Sequence, residues 1–430
     1  MEPGGESLWR KIGLKMAQEN LFAALRAAFP TNLDAVALET DQGLNYTWRD
    51  LDRASAMMAN LLGGLKLPKG SRIAVQVEKS VEALMLYLAT LRAGYVFLPL
   101  NTAYQSAEIE YFIGNAEPAV VVCTSANFGW VSKIAFKAGT QHVFTLNDDR
   151  TGTLLERAAQ QRDVHTIAVK KADDLAAILY TSGTTGRSKG AMLTHGNMLS
   201  NAKTLKTYWG WKTGDVLIHA LPIFHVHGLF VAIHGALING SKMIWMAKFD
   251  PKFVIAKMPE ATVFMGVPTL YVRLLAEPGL TKQAARNMRL FIAGSAPLLI
   301  ETFTEWQQRT GHTILERYGM SETAMLTSNP YERRFAIGLG MAHQMLKNYD
   351  DAVGYYATAL AFDFDDPLPS FHMAECLLFK GLRSEALDAL NLCLRRATPT
   401  KDAHIYERAK DLHQLLSAAK PPTSPQESAT

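Results

Sequence analysis

The chain has 430 residues, 48% hydrophobic and 20% charged, which supplies apolar material for about three domains at ~150 residues each and excludes disorder along the whole length. Cys123, Cys376 and Cys393 are an odd number in a long chain, which excludes a disulfide scaffold and predicts buried, reduced thiols of a cytoplasmic protein. Net charge is +4, divided as +5 over residues 1–332 (33 basic, 28 acidic) and −1 over residues 333–430 (11 and 12), so neither part carries the concentrated positive charge of a nucleic-acid binder.

Residues 1–17 have no apolar core of a secretory signal and read as an extension, and no apolar run reaches the ~18 residues of a membrane span. Beyond them, short runs rich in β-branched and aromatic residues predict strands at Arg72–Val77, Tyr95–Leu98, Ala119–Cys123, Ala176–Thr181, Met243–Met246 and Leu290–Ala293. Helical spacing lies between them. Thr47–Leu65 opens on Thr47 with Asp50 three positions on, and Val81–Arg92 stops before Gly94. This alternation predicts an α/β domain with mostly parallel sheet. From Arg333 the pattern becomes helical to about Ala419, and the last residues, 419–430, are Pro- and Ser-rich and read as a disordered tail. A boundary is expected at 332/333.

The helical part repeats at an offset of 34 residues: Gly340 falls on Ala374, Ala352 on Ala386 and Ala359 on Cys393. Small residues at such places let antiparallel helices approach closely. Ala403–Ala418 reads as a closing helix.

The segment richest in chemistry is Tyr180–Gly190, YTSGTTGRSKG, which follows an apolar strand and precedes a helical run from His195. Small hydroxyl residues and glycines let backbone N–H groups crowd a polyphosphate, and Lys189 adds a positive charge. It is not a Walker A loop, because Gly183 and Gly186 are too close and no Ser or Thr follows Lys189. Three further segments follow in order: Leu221–Gly228 (LPIFHVHG), Phe291–Leu298 (FIAGSAPL) and Glu316–Thr323 (ERYGMSET).

Taken together, these four segments resemble the motifs of the adenylate-forming superfamily, which includes acyl-CoA synthetases, peptide-synthetase adenylation domains and luciferases. The flanks, over residues 18–332, look like malonyl-CoA synthetases in particular. The resemblance implies an ATP-dependent, AMP-forming acid–CoA ligase that uses Mg²⁺. Thr181, Ser182, Gly183, Thr184, Thr185, Gly186 and Lys189 would cradle the phosphates. Gly294, Ser295, Ala296 and Tyr318 would line adenine and the acyl adenylate. Thr323 would touch the α-phosphate and Glu322 would hold Mg²⁺, so Lys189, His225, Glu322 and Thr323 form the expected catalytic set. Malonate carries a second carboxylate that needs a cation. Arg273 is the expected one, with His225 and Ser295 as hydrogen-bonding partners, although an Arg273 on the outside of a helix and a His225 in simple packing read the same way. Acetate or a methylmalonate would also fit a small pocket. The family continues with a small C-terminal domain bearing a catalytic lysine, which is expected to be missing here, with impaired activity as the consequence.

Residues of about 334–416 resemble the tetratricopeptide-repeat chaperones of type III secretion, which hold translocator proteins. That resemblance implies an extended peptide or protein client, with Tyr349, Tyr356, Phe364, Phe371 and Phe379 as groove or core residues. It offers a second, non-catalytic reading of the chain.

Overall fold

The structure is a computed structural model that describes residues 18–181, 187–329, 331, 336–362, 366–400 and 402–418. The extension 1–17, the tail from 419, Phe364 and the Ser182–Gly186 portion of the phosphate-loop motif lie outside the described residues. The chain divides into two compact units, residues 1–328 and 329–430.

Among the described residues, the strands of the first unit form two sheets. One has eight strands in the order Ala324–Ser328, Ile314–Met320, Leu290–Ala293, Val263–Gly266, Val216–His219, Lys242–Trp245, Val36–Thr40 and Asn45–Thr47. The other has six, ordered His142–Thr145, Val120–Cys123, Arg72–Gln76, Val96–Pro99, Leu175–Thr181 and Lys189–Thr194. Pairing is parallel except at three edges, where Asn45–Thr47, Ala324–Ser328 and Lys189–Thr194 run antiparallel to their neighbours. The α/β class with mostly parallel sheet therefore holds. Parallel strands are covered on both faces, and Val96–Pro99 and Val120–Cys123 are accordingly buried along their whole length.

Local chemistry sets the helix ends. The Thr47 hydroxyl accepts the Asp50 N–H at 3.1 Å while the Asp50 carboxylate accepts the Thr47 N–H at 2.8 Å, a reciprocal cap for helix Trp48–Gly64. Helix Val81–Ala93 stops at Gly94, whose φ of 79° places it in the left-handed region.

The helix expected from His195 spans His195–Tyr208, and strand Lys189–Thr194, paired with Leu175–Thr181, lies between it and the loop motif. Strands also form at Val36–Thr40, Val216–His219, Val263–Gly266 and Ile314–Met320, where brevity or embedded charges hide the apolar run.

The described part of the second unit is helical: Ala336–Met345, Tyr349–Phe362, Pro367–Phe379, Arg383–Arg396 and Ala403–Ala418. Gly340, Ala374, Ala352, Ala386, Ala359 and Cys393, the small residues related by 34 positions, are all buried. Tyr356 and Phe371 are buried at 0% and 2% exposure and belong to the core rather than to a groove wall, whereas Phe379 is exposed and stacks on Tyr349 at 5.1 Å. All three cysteines are free and buried. No helix among the described residues is long and apolar enough to cross a membrane.

Candidate active site

Parallel strands deliver their carboxyl ends to one edge of a sheet, where loops can gather polar groups. Thr181 ends strand Leu175–Thr181 and is paired in register with Lys189, so both flanks of the phosphate-loop motif leave the sheet side by side. Helix Ser106–Ala116 anchors these flanks. The Tyr180 hydroxyl donates to Asn115 Oδ1 at 2.6 Å, and the Tyr111 hydroxyl donates to the Ser188 carbonyl at 2.7 Å. Burial pushes the Tyr180 hydroxyl up to about 12, so it stays a donor. Lys189 is exposed.

The Thr181 hydroxyl donates to Glu322 Oε1 at 3.0 Å across 141 residues of sequence. Glu322 sits in the turn joining strands Ile314–Met320 and Ala324–Ser328. Thr323 tightens this turn by accepting the Met320 N–H on its hydroxyl at 3.3 Å, and Ala324 adopts a φ of 55°. Thr181, His225 and Ser321 line a cavity of about 240 Å³ together with Asn101, Tyr104 and Phe224. Glu322 and Thr181 present hard oxygen donors, and no group of three or more His, Cys, Asp or Glu able to hold a metal occurs among the described residues. One carboxylate and a hydroxyl fit Mg²⁺ that draws its remaining ligands from phosphates and water.

His225 is exposed toward the cavity with its ring beside Phe224, and surrounding protein lowers its pKa. Gly228 lets this segment fold back on itself, since a Cβ there would fall 2.0 Å from the Pro222 carbonyl oxygen. His227 is buried at 2% exposure and neither ring nitrogen has a partner. Burial, and then the charge of Arg317, hold it well below the usual histidine range.

Arg317 is the residue that sequence reasoning passed over. It lies within the quoted ERYGMSET segment, on the same strand face as Leu315, and is 6% exposed. Its Nη2 donates to Ser295 Oγ at 3.4 Å, its Nε has no partner, and it has no ion pair among the described residues. Burial pushes its pKa down to about 10. Gly294 makes the space: a Cβ there would lie 2.4 Å from Arg317 Nε. Ser295 holds a φ of 72°, a strained conformation for a non-glycine residue. Strand parity was the available signal, because residues two apart share a face. Arg273 does not join this group. It is exposed on helix Pro268–Leu275 with its guanidinium 4.6 Å from the centre of the Phe249 ring. Ala296 and Tyr318 are exposed beside Ser295 and Arg317 in the chain.

The AMP-binding enzyme family matches residues 25–357. A malonate–CoA ligase of Arabidopsis thaliana is 30% identical over 350 residues, covering 72% of this chain and 57% of the relative. The human mitochondrial malonate–CoA ligase ACSF3 is 32% identical over 319 residues, 69% of this chain and 54% of its own length. The crystal structure of apo MatB from Rhodopseudomonas palustris superposes with a TM-score of 0.71 and 52% identity, covering 73% of this chain and 62% of that one. The chain thus spans little more than half the length of these curated relatives.

Proposed function

We propose, from the premise that the chain belongs to the AMP-binding enzyme family, that it binds ATP and activates a small dicarboxylic acid of the malonate type for transfer to coenzyme A. A carboxylate oxygen attacks the α-phosphorus and the bond to pyrophosphate breaks; a thiol then attacks the acyl carbon and AMP leaves. Such in-line displacement depends on positioning and charge neutralisation. Thr181, Lys189 and the Ser182–Gly186 loop are assigned to the phosphates, Thr323 to the α-phosphate, and Gly294, Ser295, Ala296 and Tyr318 to the adenylate. Glu322 would hold Mg²⁺, which supplies neutralising charge on the phosphates. His225 faces the acid.

The observation that carries the choice of acid is Arg317. A buried guanidinium without a carboxylate is costly in isolation and strongly receptive to one. With Ser295 beside it, Arg317 suits the carboxylate that is not activated. The names of the relatives at 30% and 32% identity support the same acid. The test is malonate-dependent exchange of labelled pyrophosphate into ATP by the intact chain with Mg²⁺. Exchange that requires malonate supports the reading, and its absence with malonate, methylmalonate and acetate overturns it.

For the second unit, the buried small residues at an offset of 34 support a helical-repeat reading, and an extended apolar peptide as client is what its resemblance to the repeat chaperones implies. Fluorescence anisotropy with labelled apolar peptides tests it, and no binding at high micromolar protein would remove it.

A further inference from the structure

A second polar cavity lies at the opposite edge of the six-stranded sheet. Its volume is about 440 Å³, within the range of small-molecule sites. It is built by the loops entering the amino ends of strands Arg72–Gln76, Val120–Cys123 and His142–Thr145, which lie side by side in parallel register. Thr181 stands at the carboxyl end of a strand in the same sheet. At ~3.3 Å per residue, a five-residue strand puts roughly 15 Å between the two edges.

The charged side chains lining it are Lys66, Lys69, Arg72 and Glu117, an excess of two positive charges (three basic, one acidic). Arg72 is half-buried and its Nε is enclosed without a partner. Lys66 and Lys69 are exposed at the mouth. Lys66 has a φ of 55° and Glu117 a φ of 46°, where glycine or asparagine would be less strained. A lysine is strained in such a conformation, and Lys66 stands just past Leu65, the cap of the helix that stops at Gly64. The Ser71 hydroxyl is engaged with the Pro68 carbonyl at 2.8 Å, which fixes the loop that carries Lys69.

We propose that this cavity binds a small phosphorylated molecule bearing about two to three negative charges, at a site separate from the candidate active site. A phosphate offers acceptor oxygens to Arg72 and to the lysine ammonium groups, and charge-assisted contacts of this kind are the strong ones. A nucleoside monophosphate and inorganic pyrophosphate share that chemistry. The assignment does not depend on the ligase reading, because it concerns binding at a different edge of the sheet.

Hydrogen exchange of the intact chain, read peptide by peptide, tests it with AMP, inorganic pyrophosphate and uncharged adenosine as probes. The expected result is slowed exchange over residues 65–72 and 138–141 with AMP or pyrophosphate and none with adenosine. Protection by pyrophosphate alone identifies a free polyphosphate site, and protection by AMP as well identifies a nucleotide. The Lys66→Asn/Lys69→Glu chain, changed only at exposed positions and with an asparagine that tolerates the left-handed backbone, should bind about tenfold more weakly or worse. Lys189→Ala should leave this protection in place while weakening any at residues 181–194. No protection at millimolar probe, or equal protection in the double variant, would overturn the proposal.

Discussion

Gly294 and Arg317 occupy one space: a Cβ on Gly294 would fall 2.4 Å from Arg317 Nε and 2.5 Å from its Cζ. The guanidinium is held there by strand packing, so it cannot retreat without leaving its buried face. Gly294→Ala should therefore displace Arg317. Overpacking of this kind costs about 1–3 kcal/mol, and denaturant unfolding should register it. The malonate response should fall about tenfold or more, and ATP binding measured separately should weaken as well, because Gly294 is assigned to the adenylate.

The hydrogen bond from Thr181 to Glu322 ties a strand end of one sheet to a hairpin turn of the other. Glu322→Gln keeps an acceptor but removes the charge. It is expected to weaken Mg²⁺-dependent ATP binding about tenfold, with a small effect on binding without Mg²⁺. Thr181→Val should weaken both conditions modestly. A double-mutant cycle then reads the coupling between them, expected at about 0.5–3 kcal/mol.

Motif segments were legible because their residues are local in sequence; contacts between segments were not. The strands rich in β-branched residues stood out, and the capping pair Thr47 and Asp50 marked a helix start that the structure reproduces. Val216–His219 and Ile314–Met320 did not stand out, because their burial comes from strands tens of residues away in the chain, as where Ile218 pairs with Ile244 and Ile314 with Phe291. The arginine is the clearest case. Arg273 and Arg317 both stand two positions after a buried residue, Tyr271 and Leu315, and only packing separates one lying over Phe249 from one enclosed beside Ser295. Likewise, Tyr356 and Phe379 look alike in a helical sequence, yet one is fully buried and the other 68% exposed.

Two buried histidines predict acid sensitivity. Burial first, then the charge of Lys170, lower His195 to about 4, and burial lowers His234 to about 3. His195 Nδ1 accepts the Leu21 N–H at 3.1 Å and stands at a helix start, so protonation would break a bond and oppose the helix dipole. His234 Nε2 is hydrogen-bonded to the Tyr87 hydroxyl at 2.7 Å, inside a fully buried pair. Below about 6.5 the unfolded chain takes up protons that the native chain does not, so stability falls as pH drops from about 6.5 toward 4. His195 alone accounts for roughly 3 kcal/mol across that window. Urea midpoints measured between pH 8 and 4.5 should show the decline, and His234→Gln should make it shallower while the contribution of His195 remains.

Cys376 and Cys393 should be silent toward thiol reagents in the folded chain. Both are fully buried, and burial pushes their thiols up to about 11 and about 12. Labelling should require unfolding and follow its rate. Fast native labelling of either would contradict the helical packing around Ala386, Leu390 and Ala352.

The most direct measurement compares malonate-driven pyrophosphate exchange in the intact chain, in Arg317→Met and in Arg273→Ala, with ATP binding measured in each. Losing one preorganised charged donor typically costs about 10²–10³ in rate. The account predicts a loss of that size for Arg317→Met with ATP binding retained, and near-unchanged exchange for Arg273→Ala. Full exchange in Arg317→Met, or a loss confined to Arg273→Ala, would contradict the assignment of the buried arginine to the acid.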